Sequence, residues 1–290
     1  MLKDPRSAGP RPPFPQQQQS PPGHTARLDP PPDHGEHSYR GSGRLEGCAA
    51  IVTGGDSGIG RAVAIAFARE GADVVISYLS ENEDAQETAD WVKKAGRKAL
   101  LVPGDIADPA HCQTIVERTI AELGRLDILV NNAAFQRTHK ALNDFTNEEI
   151  DRTFRTNIHS MFILARLAVP HMKPGASIIN TASIQADKPS PSLLAYATTK
   201  GAIANFTAGL AQLVAPEGIR ANAVAPGPVW TPLIPSTMPA EQASKFGADS
   251  PFGRPAQPAE LAPAYVFLAS GEASYISGAV LPVTGGKPML

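Results

Sequence analysis

Cysteine, an excess of charge of one sign and long apolar runs are all scarce in this chain of 290 residues. Two cysteines cannot build a disulfide framework, and Cys48 and Cys112 stand in apolar and helical patterns typical of packing residues. The net charge of −2 excludes a general electrostatic attraction to nucleic acid or to an anionic membrane. Because no apolar run reaches about 18 residues, the sequence predicts no membrane-spanning helix.

Proline is abundant: of 28 residues, ten lie in the first 40 positions and ten between Pro216 and Pro263. Residues 1–44 hold few large apolar side chains, so they are predicted to form a proline-rich arm that is disordered before about Gly23. The arm has no apolar signal core and carries several acidic residues, which argues against an organellar leader and favours a cytoplasmic location. Residues 45–290 suffice for one sizeable core.

From Leu45 onward, short β-rich runs alternate with longer amphipathic stretches. Helices are predicted to begin near residues 59, 82, 109, 147, 192 and 260, and the one opened by the capping box at 146–149 runs toward Pro170. Strands are predicted at 49–53, 74–76, 98–102, 128–130, 177–180, 221–225 and 279–281. This alternation requires crossover connections, so it predicts a parallel sheet covered by helices on both faces.

A glycine-rich turn, Thr53-Gly-Gly-Asp-Ser-Gly-Ile-Gly60, follows the first predicted strand and opens the first helix. Glycine allows a tight turn and close approach of the backbone to a pyrophosphate, which the N–H groups and positive dipole end of the helix attract. The strand before the turn and the helix after it favour a dinucleotide site over a turn used only for chain reversal.

The spacing Thr-Gly-x3-Gly-x-Gly resembles the coenzyme-binding turn of the classical short-chain dehydrogenases/reductases. The likeness continues through Asn131-Asn132-Ala133-Ala134, Asn157, Ser183, Tyr196-x3-Lys200 and Pro226-Gly227. Residues 33–45 are also similar to the arm of a bacterial subgroup described as general-stress or aldehyde-reductase-like oxidoreductases. The resemblance implies a single α/β Rossmann-type doubly wound domain, whose seven-stranded parallel sheet has the order 3-2-1-4-5-6-7 and helices on both faces.

Four polar residues, Asn157, Ser183, Tyr196 and Lys200, form the candidate catalytic set. Reduction of a carbonyl needs a proton donor, and a tyrosine can serve if its pKa falls from about 10. Lys200 lies one helical turn after Tyr196, so its ammonium is expected to favour the phenolate. Ser183 ends a predicted strand, where its hydroxyl can hold the substrate oxygen. The resemblance implies that Tyr196 is the general acid in reduction and the base in oxidation, and that Asn157 anchors a water.

The resemblance also implies where the coenzyme, NAD or NADP, would lie. Asp105 would contact the adenine, Asn131 and Ala133 would line the adenine ribose, and Lys200 would hold the nicotinamide ribose. The coenzyme-binding set expected on this basis is Gly54, Asp56, Ser57, Gly58, Ile59, Gly60, Tyr78, Asp105, Ile106, Asn131, Ala133, Tyr196, Lys200, Pro226, Gly227 and Thr231. The expected reaction is hydride transfer between the coenzyme and a carbonyl or alcohol.

The choice between NAD and NADP depends on residues near the second predicted strand. An acidic residue at its end would bind the ribose hydroxyls and repel a 2′-phosphate, but the strand ends in 77–79, Ser-Tyr-Leu. The next acidic residues, Glu81, Glu83 and Asp84, favour NAD, although they suit a solvated helix start equally well. Arg61 is placed where it could reach a phosphate. The sequence therefore favours NAD without deciding the question.

The substrate is expected to be a small molecule bound by a mostly apolar pocket, and the subunits are expected to form a dimer or tetramer, as the resemblance implies. Substrate contacts are assigned near Phe135, Ile184, Gln185, Leu193 and Trp230, although apolar loop residues often only pack. The loop after Pro226 is expected to close over the substrate.

Two other functions and one other site stay open at this point. A catalytically silent dinucleotide-binding sensor would use the same fold but would not need Tyr196. A sugar-nucleotide epimerase of the related extended group would need a longer C-terminal substrate domain. His34 and His37 stand near acidic residues, yet no helical pattern orients them, so we expect polar arm residues and no metal site.

Overall fold

A seven-stranded, all-parallel sheet lies at the centre of the computed structural model, which describes residues 4–289. The strands are β1 (Ala49–Thr53), β2 (Asp73–Tyr78), β3 (Ala99–Pro103), β4 (Ile128–Asn131), β5 (Ser177–Thr181), β6 (Arg220–Pro226) and β7 (Val280–Val283). Their order across the sheet is β3-β2-β1-β4-β5-β6-β7, which confirms the expected topology. The first three residues of the arm, and Leu290, lie outside the described residues.

Helices cover both faces of this sheet, as expected. They are α1 (Gly58–Arg69), α2 (Asn82–Lys94), α3 (Pro109–Leu123), α4 (Asn147–Phe154), α5 (Ser160–Ala168), α6 (Leu194–Val214), α7 (Leu233–Thr237), α8 (Ala240–Ser244) and α9 (Ala262–Ala269). Within residues 4–289, no helix combines the length and the apolar character that crossing a bilayer requires.

Alternating side chains of the buried strands divide the core into two layers, because successive residues of a strand point to opposite faces. Val52 and Ile76 join the layer that packs on α1, α2 and α9, and Phe67 of α1 is fully buried there. Ile51 and Leu129 join the other layer, which packs on α3, α5 and α6. Both faces of β1 are therefore covered, as its continuous apolar run predicts.

The order in which successive strands are added to the sheet reverses next to β1, and this reversal indicates where the site lies. β1 pairs with β2 on one side and with β4 on the other, so the connections from β1 and β4 leave toward opposite edges of the sheet. A crevice opens beyond the carboxyl ends of such strands, and open α/β sheets bind their ligands there. The glycine turn after β1 lies at this switch point.

The long helix predicted from residue 147 toward 170 is interrupted. Thr146 caps α4 as expected, because its hydroxyl accepts a hydrogen bond from the N–H of Glu149 at 3.2 Å. Residues Arg155–His159 then form a π-helical turn before α5 continues the same direction. Single π turns within helices are often found at functional sites, and this one contains Asn157.

The N-terminal arm differs from the expectation of disorder before Gly23. Phe14 is buried, and its ring centroid lies 4.5 Å from that of Trp230. The N–H of Phe14 donates to the carbonyl of Ser244 at 2.8 Å, and Leu28 is buried in the same apolar cluster. Composition underestimates the order of this segment because most of the apolar surface that it buries belongs to the domain rather than to the arm.

Candidate active site

A cavity of about 660 Å³ opens at the carboxyl edge of the sheet. Its walls come from the glycine turn, from the ends of β2, β4, β5 and β6, and from α7. Of the residues predicted for the site, those that line the cavity are Gly54, Asp56, Ser57, Gly58, Ile59, Tyr78, Asp105, Ile106, Ala133, Ser183, Tyr196, Lys200, Pro226, Gly227 and Thr231. Gly60, Asn131 and Asn157 lie behind this lining.

The glycine turn is shaped for close approach. Gly54 and Gly58 have φ angles of 62° and 50°, which favour glycine. A Cβ at Gly60 would lie 1.8 Å from the carbonyl oxygen of Gly54, so the start of α1 can pack on the turn only without a side chain. Ser57 makes no side-chain cap on α1, which leaves the first N–H groups of the helix free for a ligand. These features fit a pyrophosphate.

Three predicted catalytic residues meet at the inner end of the cavity. Ser183 follows β5, and Tyr196 and Lys200 lie one turn apart on α6. The ammonium of Lys200 donates to the carbonyl of Thr181 at 2.7 Å and lies 5.2 Å from the centroid of the Tyr196 ring. Ser183 accepts from the N–H of Gln185 at 3.1 Å, and its hydroxyl lies close enough to the Tyr196 phenol to influence the pKa of that phenol. The spacing in sequence therefore becomes proximity in space.

The protonation equilibria differ from the expectation that Lys200 lowers the pKa of Tyr196. Burial raises the pKa of Tyr196 to about 12, although the neighbouring Ser183 hydroxyl acts in the opposite direction. Burial also lowers the pKa of Lys200 to about 7. Desolvation disfavours both charged forms, so without a ligand the phenol stays protonated and Lys200 is poised between its neutral and charged forms at neutral pH.

Asn157 supports the cavity from behind. Its side chain is fully buried in the π turn and bridges the backbone of Phe135. The Oδ1 atom accepts from the N–H of Phe135 at 2.8 Å, and Nδ2 donates to the Phe135 carbonyl at 2.9 Å. The same Nδ2 donates to Oγ1 of Thr199 at 3.0 Å. Thr199 lies between Tyr196 and Lys200 on α6. Asn157 therefore fixes the β4 loop to the catalytic helix.

At the end of β4, Asn132 lines the cavity in place of Asn131, which was the asparagine expected to contact the coenzyme. Asn131 is buried behind the cavity, where its Nδ2 donates to Oδ1 of Asn180 at 2.9 Å. Asn132 lines the cavity instead and donates from Nδ2 to the carbonyls of Thr53 and Gly54. Adjacent residues of an extended chain point in opposite directions, so one position decides which asparagine is accessible.

Negative charge surrounds the outer end of the cavity, near β2. Asp56 and Glu81 line the cavity and are nearly fully buried, and Asp84 is buried beside them. Burial, reinforced by the charges of Glu81 and Asp84, raises the pKa of Asp56 to about 7. Ser77 lines the same region, and its buried hydroxyl has no hydrogen-bond partner among residues 4–289.

Arg61, which was expected to be able to reach a phosphate, points away from the cavity. It is buried and donates to the carbonyl of Asp56 at 2.8 Å. Its guanidinium also pairs with Asp84 at 3.2 Å and with Glu87 at 2.9 Å. These salt bridges offset the charges of Asp84 and Glu87, so the Arg61 guanidinium is not free to bind a phosphate, and Asp56 and Glu81 are the acidic residues that line the cavity.

Comparison with known proteins decides the family. A model for the family described as Enoyl-(Acyl carrier protein) reductase matches residues 54–287. The chain is 51% identical to the oxidoreductase YhdF of Bacillus subtilis over 273 residues, which is 94% of each chain. It is 49% identical to general stress protein 39 of the same organism over 272 residues, covering 94% of this chain and 95% of the relative.

The chain belongs to the short-chain dehydrogenases/reductases.

Two solved structures show the same fold. A short-chain dehydrogenase from Burkholderia cenocepacia, in complex with NADP, is 34% identical with a TM-score of 0.78, covering 84% of this chain and 98% of the other. A 3-ketoacyl-(acyl-carrier-protein) reductase from Brucella melitensis, complexed with NADH, is 36% identical with a TM-score of 0.76, covering 83% and 98%. This short-chain dehydrogenase/reductase is therefore an oxidoreductase that uses a nicotinamide coenzyme, and its likeness to general stress protein 39 agrees with the expected subgroup.

The substrate end of this short-chain dehydrogenase/reductase partly matches the expectation. The residues expected there that line the cavity are Phe135, Ile184, Gln185 and Leu193. Trp230, also expected there, is fully buried under the arm, and its Nε1 donates to the carbonyl of Pro30 at 2.8 Å. Sequence position gave no sign of which way this indole points, because its partners lie about 200 residues earlier in the chain.

Several lining residues were missed from the sequence. Gln136 lines the cavity and donates to Oγ1 of Thr237 on α7 at 2.9 Å. Arg152 of α4 pairs with Asp105, whose other oxygen accepts from the N–H of Ala107. The arm adds Pro21 and Pro22 to the lining, a contribution that the proline pattern did not indicate. Within residues 4–289, no group of three or more His, Cys, Asp or Glu side chains is arranged to hold a metal.

Proposed function

We propose that this protein transfers hydride between NAD(H) and a small carbonyl or alcohol, with Tyr196 as general acid in reduction and general base in oxidation. One observation carries the proposal: Ser183, Tyr196 and Lys200 converge at the inner end of the cavity whose outer end is the glycine turn. A nicotinamide coenzyme supplies or accepts the hydride when it is bound. The residues of the chain then have to bind the coenzyme and the substrate, orient them toward each other, and exchange one proton with the substrate oxygen.

The catalytic residues divide this work according to their positions. Ser183 holds the substrate oxygen by a hydrogen bond, and the Tyr196 phenol donates its proton to that oxygen as the carbonyl becomes an alcohol. Lys200, when protonated, favours the resulting phenolate through its charge. Because Asn157 joins the β4 loop to Thr199 beside this pair, it keeps α6 at a fixed distance from the cavity.

The residues fit a coenzyme along the rest of the cavity. The free N–H groups at the start of α1 would hold the pyrophosphate, and Pro226, Gly227 and Thr231 would border the nicotinamide. Asp105 and Ile106 would lie at the adenine. The acidic residues Asp56 and Glu81 support NAD, since a 2′-phosphate there would add negative charge to negative charge. One of the two solved neighbours is bound to NADP and the other to NADH, so family membership alone does not decide between NAD and NADP.

Replacement of Tyr196 by Phe tests this assignment. The substitution removes only the hydroxyl, so we expect turnover to fall at least about 100-fold and the coenzyme dissociation constant to change by less than about two-fold. Turnover is measured as NADH oxidation with a panel of aldehydes and ketones, and affinity by fluorescence titration. Retained turnover in Tyr196→Phe, or loss of coenzyme binding, would overturn the assigned role.

The same measurements separate the enzyme from a silent dinucleotide sensor. A sensor would bind coenzyme in the wild type without oxidising it in the presence of any member of the panel. The placement of the Tyr196 and Ser183 side chains in one cavity supports the enzyme, because binding a dinucleotide requires neither hydroxyl.

We also propose that the protein assembles as a homo-oligomer, a dimer or a tetramer, in the cytoplasm. Exposed apolar side chains on α5 and α6, Phe162 and Leu213, are 56% and 74% accessible in the isolated chain and support an interface there. Cys48 and Cys112 form no disulfide, which fits a reducing compartment.

A further inference from the structure

Residues 19–25 of the arm cross the mouth of the cavity, and we call this segment the strap. Pro21 and Pro22 line the same cavity as the glycine turn and Tyr196, although both prolines are exposed on their outer side. The strap is therefore part of the wall that faces a bound ligand, and what holds it there determines how the cavity opens.

One end of the strap is fastened to α7. The N–H of Gln19 donates to the carbonyl of Pro235 at 3.0 Å. The hydroxyl of Ser236 donates to the carbonyl of Pro22 at 3.3 Å. Since α7 also lines the cavity with Leu233, the strap and the helix form one continuous cover.

The strap passes close to the position proposed for the pyrophosphate. Gly23 has a φ angle of 87°, and a Cβ there would lie 2.9 Å from the carbonyl oxygen of Pro232. On the inner side, a Cβ at Gly58 of the glycine turn would lie 3.0 Å from Cγ2 of Thr231 and 4.0 Å from Cδ of Pro232. The backbone at 231–232 is thus packed between the strap and the glycine turn.

The other end of the strap is fastened to the opposite wall. The N–H of Thr25 donates to Oδ2 of Asp84 on α2 at 2.9 Å, and both residues are buried. Asp84 pairs in turn with Arg61, which lies on the helix that begins at the glycine turn. The strap therefore bridges α7 and α2, whose nearest residues border opposite ends of the cavity.

Contacts outside the strap keep it docked. Phe14 inserts against Trp230 with ring centroids 4.5 Å apart, and its N–H donates to the carbonyl of Ser244 on α8. Beyond the strap, the carbonyl of Pro30 accepts from the Trp230 indole. These anchors lie on both sides of the strap in sequence, and Phe14, Trp230 and Pro30 are not among the residues that line the cavity.

We propose that the strap retains the coenzyme, which is released only after residues 19–25 lift from α7 or from α2. The proposal rests on the coenzyme position argued above. The free energy needed to undock the strap adds to the barrier for release, since the two ends are hydrogen-bonded to separate walls. Reciprocally, a bound coenzyme must stabilise the docked strap, because the coupling between two equilibria acts equally in both directions.

Two variants and a matched control test the rate of release. Deletion of residues 2–22 removes the α7 anchor with both prolines, Phe14→Ala weakens docking at a distance, and Gln18→Ala alters an exposed arm side chain. Bound NADH is displaced by excess NAD+ in a stopped-flow experiment that follows its fluorescence. We expect release to be at least about ten-fold faster after the deletion and about three-fold faster for Phe14→Ala, with Gln18→Ala unchanged.

Hydrogen exchange provides a second readout that a purely structural arm would not affect. In the wild type, saturation with NADH should slow exchange of the Gln19 and Thr25 amides, which donate the two backbone hydrogen bonds at the ends of the strap. In Phe14→Ala the exchange of these two amides should be faster than in the wild type without coenzyme, and NADH should still slow it, because the coenzyme still favours the docked form.

The outcomes are distinguishable. Wild-type protein that binds neither NADH nor NADPH would overturn the proposed function and this inference with it. Normal coenzyme binding with unchanged release from Phe14→Ala, and no protection of Gln19 and Thr25 by NADH, would overturn the inference alone. If the deletion variant does not fold, Phe14→Ala and the exchange data decide the question.

Discussion

Two buried ionisable residues, Lys200 and Asp56, mark opposite ends of the cavity, and burial shifts both toward neutrality. The pKa of Lys200 is lowered to about 7 and that of Asp56 is raised to about 7. Each residue therefore changes its charge near neutral pH. At Lys200 this places a proton-exchanging group beside Tyr196, and at Asp56 it places a titratable charge in the region that we propose for the adenine ribose, where NAD and NADP differ.

Removal of the Asp56 charge should weaken discrimination against NADP. Above pH 7 the carboxylate is ionised and repels a 2′-phosphate, whereas below its pKa of about 7 it is neutral and the repulsion is lost. We expect Asp56→Asn to raise the ratio of kcat/KM for NADPH to that for NADH about ten-fold at pH 8. The ratio in the wild type should rise as the pH falls through about 7, and the variant's ratio should stay nearly flat.

Glu83→Gln is the matched control for Asp56→Asn. Glu83 begins the same helix as Asp84 but is exposed, so solvent and salt screen its charge. Its coenzyme ratio should change by less than about two-fold. An Asp56→Asn ratio that equals the wild-type ratio at pH 8 would show that the acidic cluster does not select the coenzyme.

The sequence predicts the relative positions of some of these side chains but not the directions of others. Ser183, Tyr196 and Lys200 could be placed together from spacing and resemblance, because one helical turn and one strand end determine their relative positions. The directions of Arg61 and Trp230 could not, since Arg61 is held by residues on α2 and Trp230 by the arm. Long-range contacts of this kind leave no local periodicity in the sequence.

At the scale of elements, the π turn Arg155–His159 is the irregularity on which the site depends. It widens the helix between α4 and α5 where the side chain of Asn157 reaches the loop after β4. Hydrophobic periodicity predicted the surrounding helices and all seven strands with bounds that differ by one or two residues. It did not predict the π turn, because one inserted residue barely changes an apolar pattern that repeats every 3.6 residues.

Replacement of Asn157 by Ala should therefore lower the stability of the protein as well as its rate of turnover. The substitution leaves the partly buried N–H and carbonyl of Phe135, and the buried hydroxyl of Thr199, without their Asn157 partner, and we expect a loss of about 2 kcal/mol in the free energy of unfolding. Urea denaturation of the coenzyme-free protein measures it. Asn147→Ala, at an exposed position on α4, should change stability by less than about 0.5 kcal/mol. Equal effects of the two substitutions would contradict the bridging role of Asn157.

At the scale of the whole molecule, the proposed oligomer makes a direct prediction. The exposed ring of Phe162 on α5 packs against Phe206 of α6, with centroids 4.3 Å apart, and the two helices form one apolar surface. Phe162→Asp places a charge there, whose desolvation would oppose association. Light scattering should give two or four times 30.5 kDa for the wild type and a smaller multiple for the variant. A wild-type monomer would exclude the proposed interface.

The long-range contacts of the arm also determine when it can dock during synthesis of the chain. The carbonyl of Pro30 meets Trp230 across 200 residues, and the N–H of Asp33 meets Gln257 across 224. At about 5–20 residues per second, a ribosome that has finished the arm needs tens of seconds more to supply these partners. The arm is synthesised before the domain that it contacts but is among the last segments able to dock, so it stays without these partners until the sheet is nearly complete.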